Sequence, residues 1–474
     1  MVVKNHQPMA IAKTMNCFLW LLFITTLSFL VLYYPHIPEW RYSELIKING
    51  FTVIIWTVVT FFSALVNSYA KKYLMGFRYY NRFLLLSLGF TFSIIVFVMA
   101  NHVVLLLAMW LSMGVFMSRL IGVDKEWAEA KAAAKFALHY FAAGSFFLSL
   151  GVLLLAFQTN DFTLSGIIIK VSDLPQYITW IASLCIIIAA IIQSAIYPFH
   201  RWLLSAMTAP TPASALMHAG FVNGSGILLT LFSTVLVVSN SLIILLIIGG
   251  LTAVVAQFAK LLQVNVKQKL ACSTIAQMGF MIMQCGLGFF NAAVVHLILH
   301  GFYKAFLFLS AGEEIGLTKP QKPTHIKIKP LQAVVVLLFG VLGAVLFAFL
   351  TGKGFALNSG LFLILIVAIT VGQITYNIVK EQRLNLVQKT FLPPVLFVLG
   401  IGCYALLYNA VTLLMNDMPM TDVPIALSGV EVGFGIVFLT GFFIMKLGIY
   451  RNYPWLYMKL LNSSQPNKKT VFNK

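Results

Sequence analysis

A chain of 474 residues that is 60% hydrophobic and only 9% charged, with a mean hydropathy of +0.93, is far from a soluble domain, in which about a quarter of residues carry charge. It belongs in lipid, and its longest polar connections, roughly 15 to 20 residues, leave no room for a soluble catalytic domain. The formal charge of +19 would suggest nucleic acid in a soluble protein, but its distribution along this chain excludes that reading.

Windows of roughly 18 to 24 nearly uncharged apolar residues recur from Cys17 to about Ile449, each long enough to cross a hydrocarbon core about 30 Å thick, and they predict about fourteen transmembrane helices. The first follows Lys4 and Lys13, as a signal peptide would, but it runs into YYPHIPEW without a small-residue cleavage site and is read as a retained helix. The even-numbered connections carry Lys71, Lys72, Arg78 and Arg82, then Lys125 and Lys131, then Lys267 and Lys269, then Lys319, Lys322, Lys327 and Lys329. Lys380, Arg383 and Lys389 follow, and the tail adds Arg451, Lys459, Lys468, Lys469 and Lys474. The odd connections hold mainly Arg41, Lys47, Lys170 and Lys353, with Asp417 and Asp422 in the last. This asymmetry fits the positive-inside rule with both termini cytoplasmic. The 5 cysteines lie in or beside apolar windows without ligand spacing, so neither metal nor disulfide is expected from them.

After four helices, DKEWAEAKAAAK at 124–135 predicts a brief helical turn at the headgroup level. Between about 178 and 238, Pro198, Pro210 and Pro212 interrupt apolar sequence and predict a broken helix. Unpaired backbone at membrane depth is tolerated only inside protein or against water, so such a break marks a candidate pathway. Transporters often build a midplane ion site from two broken helices in inverted repeats. FLTGKGFALNSG at 349–360 is the candidate counterpart.

Three blocks then stand out: QSAIYPFHRWLLSAMTAPTPASALMHAGFVNGSG at 193–226, CSTIAQMGFMIMQCGLG at 272–288 and HLILHGFYKAFLFLSAG at 296–312. The first resembles the SAQxPxHxWLxxAMxxPTPVSALxHA signature of the antiporter-like subunits of complex I and of Mrp-type cation antiporters. The other two resemble that family's following helices in the same order, so the resemblance covers roughly residues 100 to 360. Within the family, HRWL, AGFVNGSG and QMGFMIMQCGLG look most like the DabB group, membrane subunits of two-component inorganic carbon pumps. The chain also ends soon after its last helix, without the long lateral helix of the most distal complex I subunit.

The resemblance implies an all-α, polytopic inner-membrane fold of antiporter-like inverted repeats. Residues 1–100 would hold N-terminal helices, 101–240 the first repeat with the broken helix, 241–380 the second repeat, and 381–474 the C-terminal helices with a basic tail. It further implies a DabA-type zinc subunit as partner, with membrane lipid around the chain. No cofactor, metal, nucleic acid or catalytic residue is expected in this chain itself. Two departures from the family pattern remove charges. Leu111 follows Trp110 where complex I subunits place a glutamate, and Gln193 precedes Ser194 where they place a lysine.

His296, His300 and Lys304 are spaced i, i+4, i+8, which places them near one face of a single helix over about 12 Å. Intramembrane ionisable groups cost at least about 2.5 to 3.5 kcal/mol on insertion scales and normally face a bundle interior that moves ions or protons. An amine in a desolvated site gives up its proton more readily, and imidazoles titrate near physiological pH. Lys304 is therefore read as a switchable proton carrier with His300 and His296 as its relay. The bland reading is that the histidines hydrogen-bond backbone or serine hydroxyls. A zinc site from HxxxH lacks an HExxH glutamate and an evident third ligand.

By resemblance His218 lies on the proton route; its bland reading is a cap for the broken helix. His200 and Arg201 read as interfacial anchors. Lys260 joins the pathway set or snorkels to the interface. Lys353 is the candidate lysine of the second break, although the family places that lysine a few residues later. Glu313 and Glu314 read as solvent-exposed. Taken together with the resemblance, the expectation is a proton- or cation-conducting membrane subunit of an energy-coupled inorganic carbon pump that acts with the DabA-type subunit. The alternative is a proton-pumping subunit of a complex I- or hydrogenase-type redox complex, or an Mrp-type Na⁺/H⁺ antiporter component.

Overall fold

The computed structural model describes residues 7–311, 330–354, 356–380, 385–447 and 449–472, which are almost wholly helical. Among the described residues, ten helices are long and apolar enough to cross a membrane, and shorter apolar stretches lie at Val334–Leu350, Gly360–Tyr376 and Gly429–Met445. The chain is a multi-pass membrane protein. Glu313 and Glu314, with Lys319 to Lys329, lie outside the described residues.

The chain divides into two compact units. The larger comprises Met1–Ile315, Leu413–Thr421 and Met458–Lys474, and the smaller Gly316–Thr412 and Asp422–Tyr457. The larger begins with α1 (Gln7–Tyr33), a two-stranded hairpin of Trp40–Tyr42 against Ile46–Ile48, α2 (Gly50–Tyr73), α3 (Tyr80–Met99) and α4 (Val103–Ile121). Then come α5 (Ala128–Thr159), α6 (Leu164–Lys170), α7 (Gln176–Gln193) and α8 (Arg201–Ser205). α9 (Thr211–Leu216), a π-helical turn (Met217–Phe221), α10 (Gly224–Leu231) and α11 (Ser233–Val238) form one interrupted helix. α12 (Leu242–Leu261), α13 (Val266–Gly286) and α14 (Phe290–Ser310) follow in the larger unit.

Local sequence sets the helix ends. Asn49 caps α2 by accepting the Thr52 N–H, and Lys71 and Lys72 occupy its last turn, where positive charge complements the helix dipole. Asn265 caps α13 through the Lys267 and Gln268 N–H groups. The charged segment differs from expectation. Ala128 to Lys135 form the first turns of the 32-residue α5, because an Ala-rich run with no Gly or Pro continues straight into the apolar window.

Contacts between connections sort into two sets, as alternate crossings require. Thr211 Oγ1 donates to the Tyr73 hydroxyl, Lys267 Nζ to the Ala209 carbonyl and Gln263 Nε2 to Ser464 Oγ, all in even-numbered connections or the tail. Asn101 N–H donates to the Leu45 carbonyl, Ser233 Oγ to the Pro419 carbonyl, and Phe290 N–H to the Thr421 carbonyl, all in odd ones or in the helix ends beside them.

Burial is uneven. The window Thr211–Leu231 is 94% buried whereas that of α1 is 11% buried, so the interrupted helix is the centre of the larger unit and α1 its rim. α12 and α13 meet backbone to backbone. A Cβ on Gly279 would stand 2.7 Å from Ala253 N, and one on Gly249 2.6 Å from the Gly279 carbonyl oxygen.

The break exists, but the prolines do not make it. Pro210 and Pro212 sit at the start of α9, where a missing N–H costs nothing, and Pro198 lies in the turn before α8. The irregularity falls at the π turn 217–221 and residues 222–223, inside HAGFVNG.

In the smaller unit, α15 (Pro330–Leu350) packs against α16 (Gly360–Lys380), with Gly340 facing Ala368 and Gly343 facing Val371. α17 (Leu386–Leu414) and α18 (Gly429–Leu447) follow, and α19 (Pro454–Ser463) belongs to the larger unit from Met458 on. Residues 351–359 therefore join two helices and do not interrupt one, which corrects the reading of 349–360 as a broken helix. Gly352 and Gly354 both take positive φ there, a conformation open to glycine, and they let the chain reverse.

Candidate functional site

The interrupted helix frees backbone carbonyls in the middle of the larger unit, and polar side chains meet them. Gln193 Nε2 donates to the Phe221 carbonyl at 3.3 Å, and Ser194 Oγ to the Val222 carbonyl at 2.6 Å. Gln193 thus does neutral work where the family resemblance puts a lysine. Leu111 is 44% exposed on the outer face of α4, while Trp110 beside it is buried.

Asn223 stands at the end of the break. Its amide donates to the Ala219 carbonyl at 2.8 Å and to the Leu297 carbonyl of α14 at 3.1 Å, and its oxygen meets His300 Nδ1 at 3.2 Å. Four residues along α14, the His296 ring lies 6.0 Å from that of His300, nearly parallel. The Gln277 backbone hydrogen-bonds His296, and Phe280 packs on it at 5.4 Å.

Lys304 is fully buried. Its ammonium donates to the Leu270 carbonyl at 3.0 Å, and Thr274 Oγ1 shares that acceptor at 3.1 Å. Thr274 Oγ1 in turn meets His218 Nδ1 at 2.9 Å, and the His218 ring stacks on Phe308 at 4.3 Å. His218 lies within the π turn and within electrostatic reach of Lys304. Among the described residues, His218, His296 and His300 find no hydrogen-bond partner for Nε2, although buried polar atoms are ordinarily paired.

Lys260, half-buried in the last turn of α12, also lies within electrostatic reach of Lys304. The larger unit thus gathers His218, His296, His300, Lys304 and Lys260 on α12, α14 and the π turn. Lys353 belongs to the smaller unit. Its ammonium is 3.3 Å from an Asp422 carboxyl oxygen and 5.0 Å from the Tyr408 ring. Burial pulls its pKa down and the Asp422 carboxylate offsets part of that shift.

His200 is not an interfacial anchor. It is 4% exposed, packs tilted against the Tyr197 ring at 3.7 Å, and its Nε2 meets the Ser463 carbonyl at 2.8 Å, tying the tail down. Arg201 is exposed at the start of α8.

Asn223, Thr274 and the Leu270 carbonyl are absent from the sequence reading. A polar amide between glycines in an apolar helix is the signal that would have found Asn223. Leu270 acts through its backbone and carries no such signal.

A family model described as NADH:quinone oxidoreductase/Mrp antiporter, transmembrane, matches residues 100–379. A relative from Bacillus anthracis named "Probable inorganic carbon transporter subunit DabB" is 36% identical over 69% of this chain and 64% of its own length. One of the same name from Hydrogenovibrio crunogenus is 27% identical over 90% of this chain and 82% of its own. The chain thus spans less than two thirds of the Bacillus relative. Among solved structures, the Mrp complex from Dietzia is 20% identical with a TM-score of 0.57, covering 97% of this chain and 51% of that one. At that identity the likeness speaks to the fold.

Proposed function

This chain belongs to the NADH:quinone oxidoreductase/Mrp antiporter membrane family, and from that membership we propose that it is the cation-conducting subunit of an energy-coupled inorganic carbon pump. It works with a DabA-type zinc subunit that hydrates carbon dioxide, in a bacterial inner membrane with both termini cytoplasmic. The relatives named as inorganic carbon transporter subunits support the substrate. This chain is itself no enzyme.

The observation that carries the ion path is the column of His296, His300 and Lys304 on α14, where His300 meets Asn223 of the interrupted helix and Lys304 meets α13, with the Nε2 atoms of His296, His300 and the nearby His218 unpaired among the described residues. Buried ionisable groups in membrane helices are costly and serve ion movement, and an imidazole whose second nitrogen is unengaged can accept a proton there. Lys304 passes its charge between the histidines on one side and the Leu270 end of α13 on the other, with Lys260 near the exit and His218 alongside. Lys353 and Asp422 serve the smaller unit in the same way.

Energy suffices. A thousandfold bicarbonate accumulation costs about 4 kcal/mol and one proton crossing 150 mV yields roughly 3.5 kcal/mol, so one proton falls just short and about two per turnover cover the cost.

Radiolabelled bicarbonate uptake in a carbonic-anhydrase-deficient bacterium tests this. Uptake should require both subunits, collapse with an uncoupler, and be abolished by Lys304→Ala in an intact complex. Normal uptake by the Lys304→Ala complex would overturn the role.

The second reading is a subunit of a redox complex or of a Na⁺/H⁺ antiporter, in the same family. Gln193 and Leu111 weigh against it, since both lack the charge that the complex I pattern carries. A well-expressed pair that fails to rescue uptake would favour it.

A further inference from the structure

On the side of the odd-numbered connections, a cavity of about 50 Å³ opens in the larger unit, lined among others by Lys47, Asn49, Asn101, Ser165, Leu231 and Asp417. A water needs roughly 10–15 Å³ by this measure, so the cavity has room for more than one. Leu231 is the last residue of α10, which places the cavity at one end of the interrupted helix.

The segment bearing Asp417 is fastened to both helices of the ion path. The Pro419 carbonyl accepts from Ser233 Oγ of α11 at 3.0 Å. The Thr421 carbonyl accepts the Phe290 and Asn291 N–H groups at the start of α14, at 2.9 and 3.2 Å. His296 lies six residues into that helix, about 9 Å along its axis.

Asp417 is held as a proton acceptor would be. Lys47 lies within electrostatic reach but directs its ammonium to Glu39, 2.9 Å away. Asn49 hydrogen-bonds the Asp417 carboxyl. Glu39 is the other charge that acts on it, and Asn101, Ser165 and Leu231 present none. Asp417 is solvent-exposed, and partial burial together with Glu39 raises its carboxyl above the ordinary range against the pull of Lys47.

We propose that Asp417 is the proton-loading residue at the outer mouth of the path, receiving a proton from cavity water and delivering it toward the α10 and α14 ends. This rests on the carbon-pump reading with the odd connections outside.

The test is bicarbonate uptake against external pH by the complete two-subunit complex. Asp417→Asn should cut uptake severalfold, and Asp417→Glu should restore it. Lys47→Gln removes the cation that holds the carboxyl down, so it should move the profile to more alkaline pH, a shift that a purely structural role would not produce. Unaltered profiles in Asp417→Asn and Lys47→Gln, with Lys304→Ala inactive, would overturn the mouth and leave the pump standing. Should Asp417→Asn not assemble, the Lys47→Gln profile decides alone. Uptake unaffected even by Lys304→Ala would instead sink the underlying reading.

Discussion

Asn223 and His300 meet at 3.2 Å between the end of the helix break and α14, and the same amide holds the Ala219 and Leu297 carbonyls. One side chain thus closes the break and fixes a candidate relay group.

Replacing Asn223 by Leu should leave the Ala219 carbonyl and the His300 Nδ1 without their partner, while the Leu297 carbonyl keeps its bond within α14. Each buried unsatisfied group costs about 1–3 kcal/mol. Purified Asn223→Leu complex should melt at lower temperature and transport poorly. A wild-type melting temperature would show that the bridge is not needed.

Gln193→Leu removes the donor to the Phe221 carbonyl at an expected cost of about 1–3 kcal/mol. Because the substitution alters no charge, the loss should appear in thermal stability while the pH dependence of transport stays unchanged. A displaced pH profile would mean that Gln193 takes part in ion movement.

Gly279→Ala forces a methyl against Ala253 N and the Gly249 carbonyl. Backbone cannot give way as a side chain can, so overpacking of about 1–3 kcal/mol is expected. α13 also carries Leu270 and Thr274, hence uptake should fall together with stability. Full activity with a lowered melting temperature would separate the packing from the site.

Asp161, in the connection after α5, is drawn upward by burial, but the Thr163 hydroxyl and N–H and Lys170 outweigh that and hold it below the ordinary carboxylate range. A depressed carboxyl contributes stability that is complete above its unfolded value, about 3.9, and is lost as pH falls through the folded value. Hydrogen exchange of residues 160–173 should therefore be flat, after correction for intrinsic rates, from neutral pH down to that value and rise below it. In Asp161→Asn the rise should vanish; a rise of the same size in the variant would assign it elsewhere.

Periodicity and composition determined much of this protein alone. Apolar windows fix helices because hydrocarbon leaves the backbone no other partner, and the spacing of His296, His300 and Lys304 puts them on one face because α-helix geometry is uniform. PTPASALMHAGF announced a break without locating it, since proline at a helix start disturbs nothing and the π turn depends on which carbonyls Gln193, Ser194 and Asn223 can reach. FLTGKGFALNSG misled for a related reason, as glycine marks a reversal between helices as well as a break within one. Only tertiary structure decided that His200 holds the tail, that Lys304 rests on a backbone carbonyl of α13, and that Asp417 faces a cavity at the end of α10. Those partners are far away in sequence, and hydrogen-bond acceptors on the main chain leave no trace in residue identity.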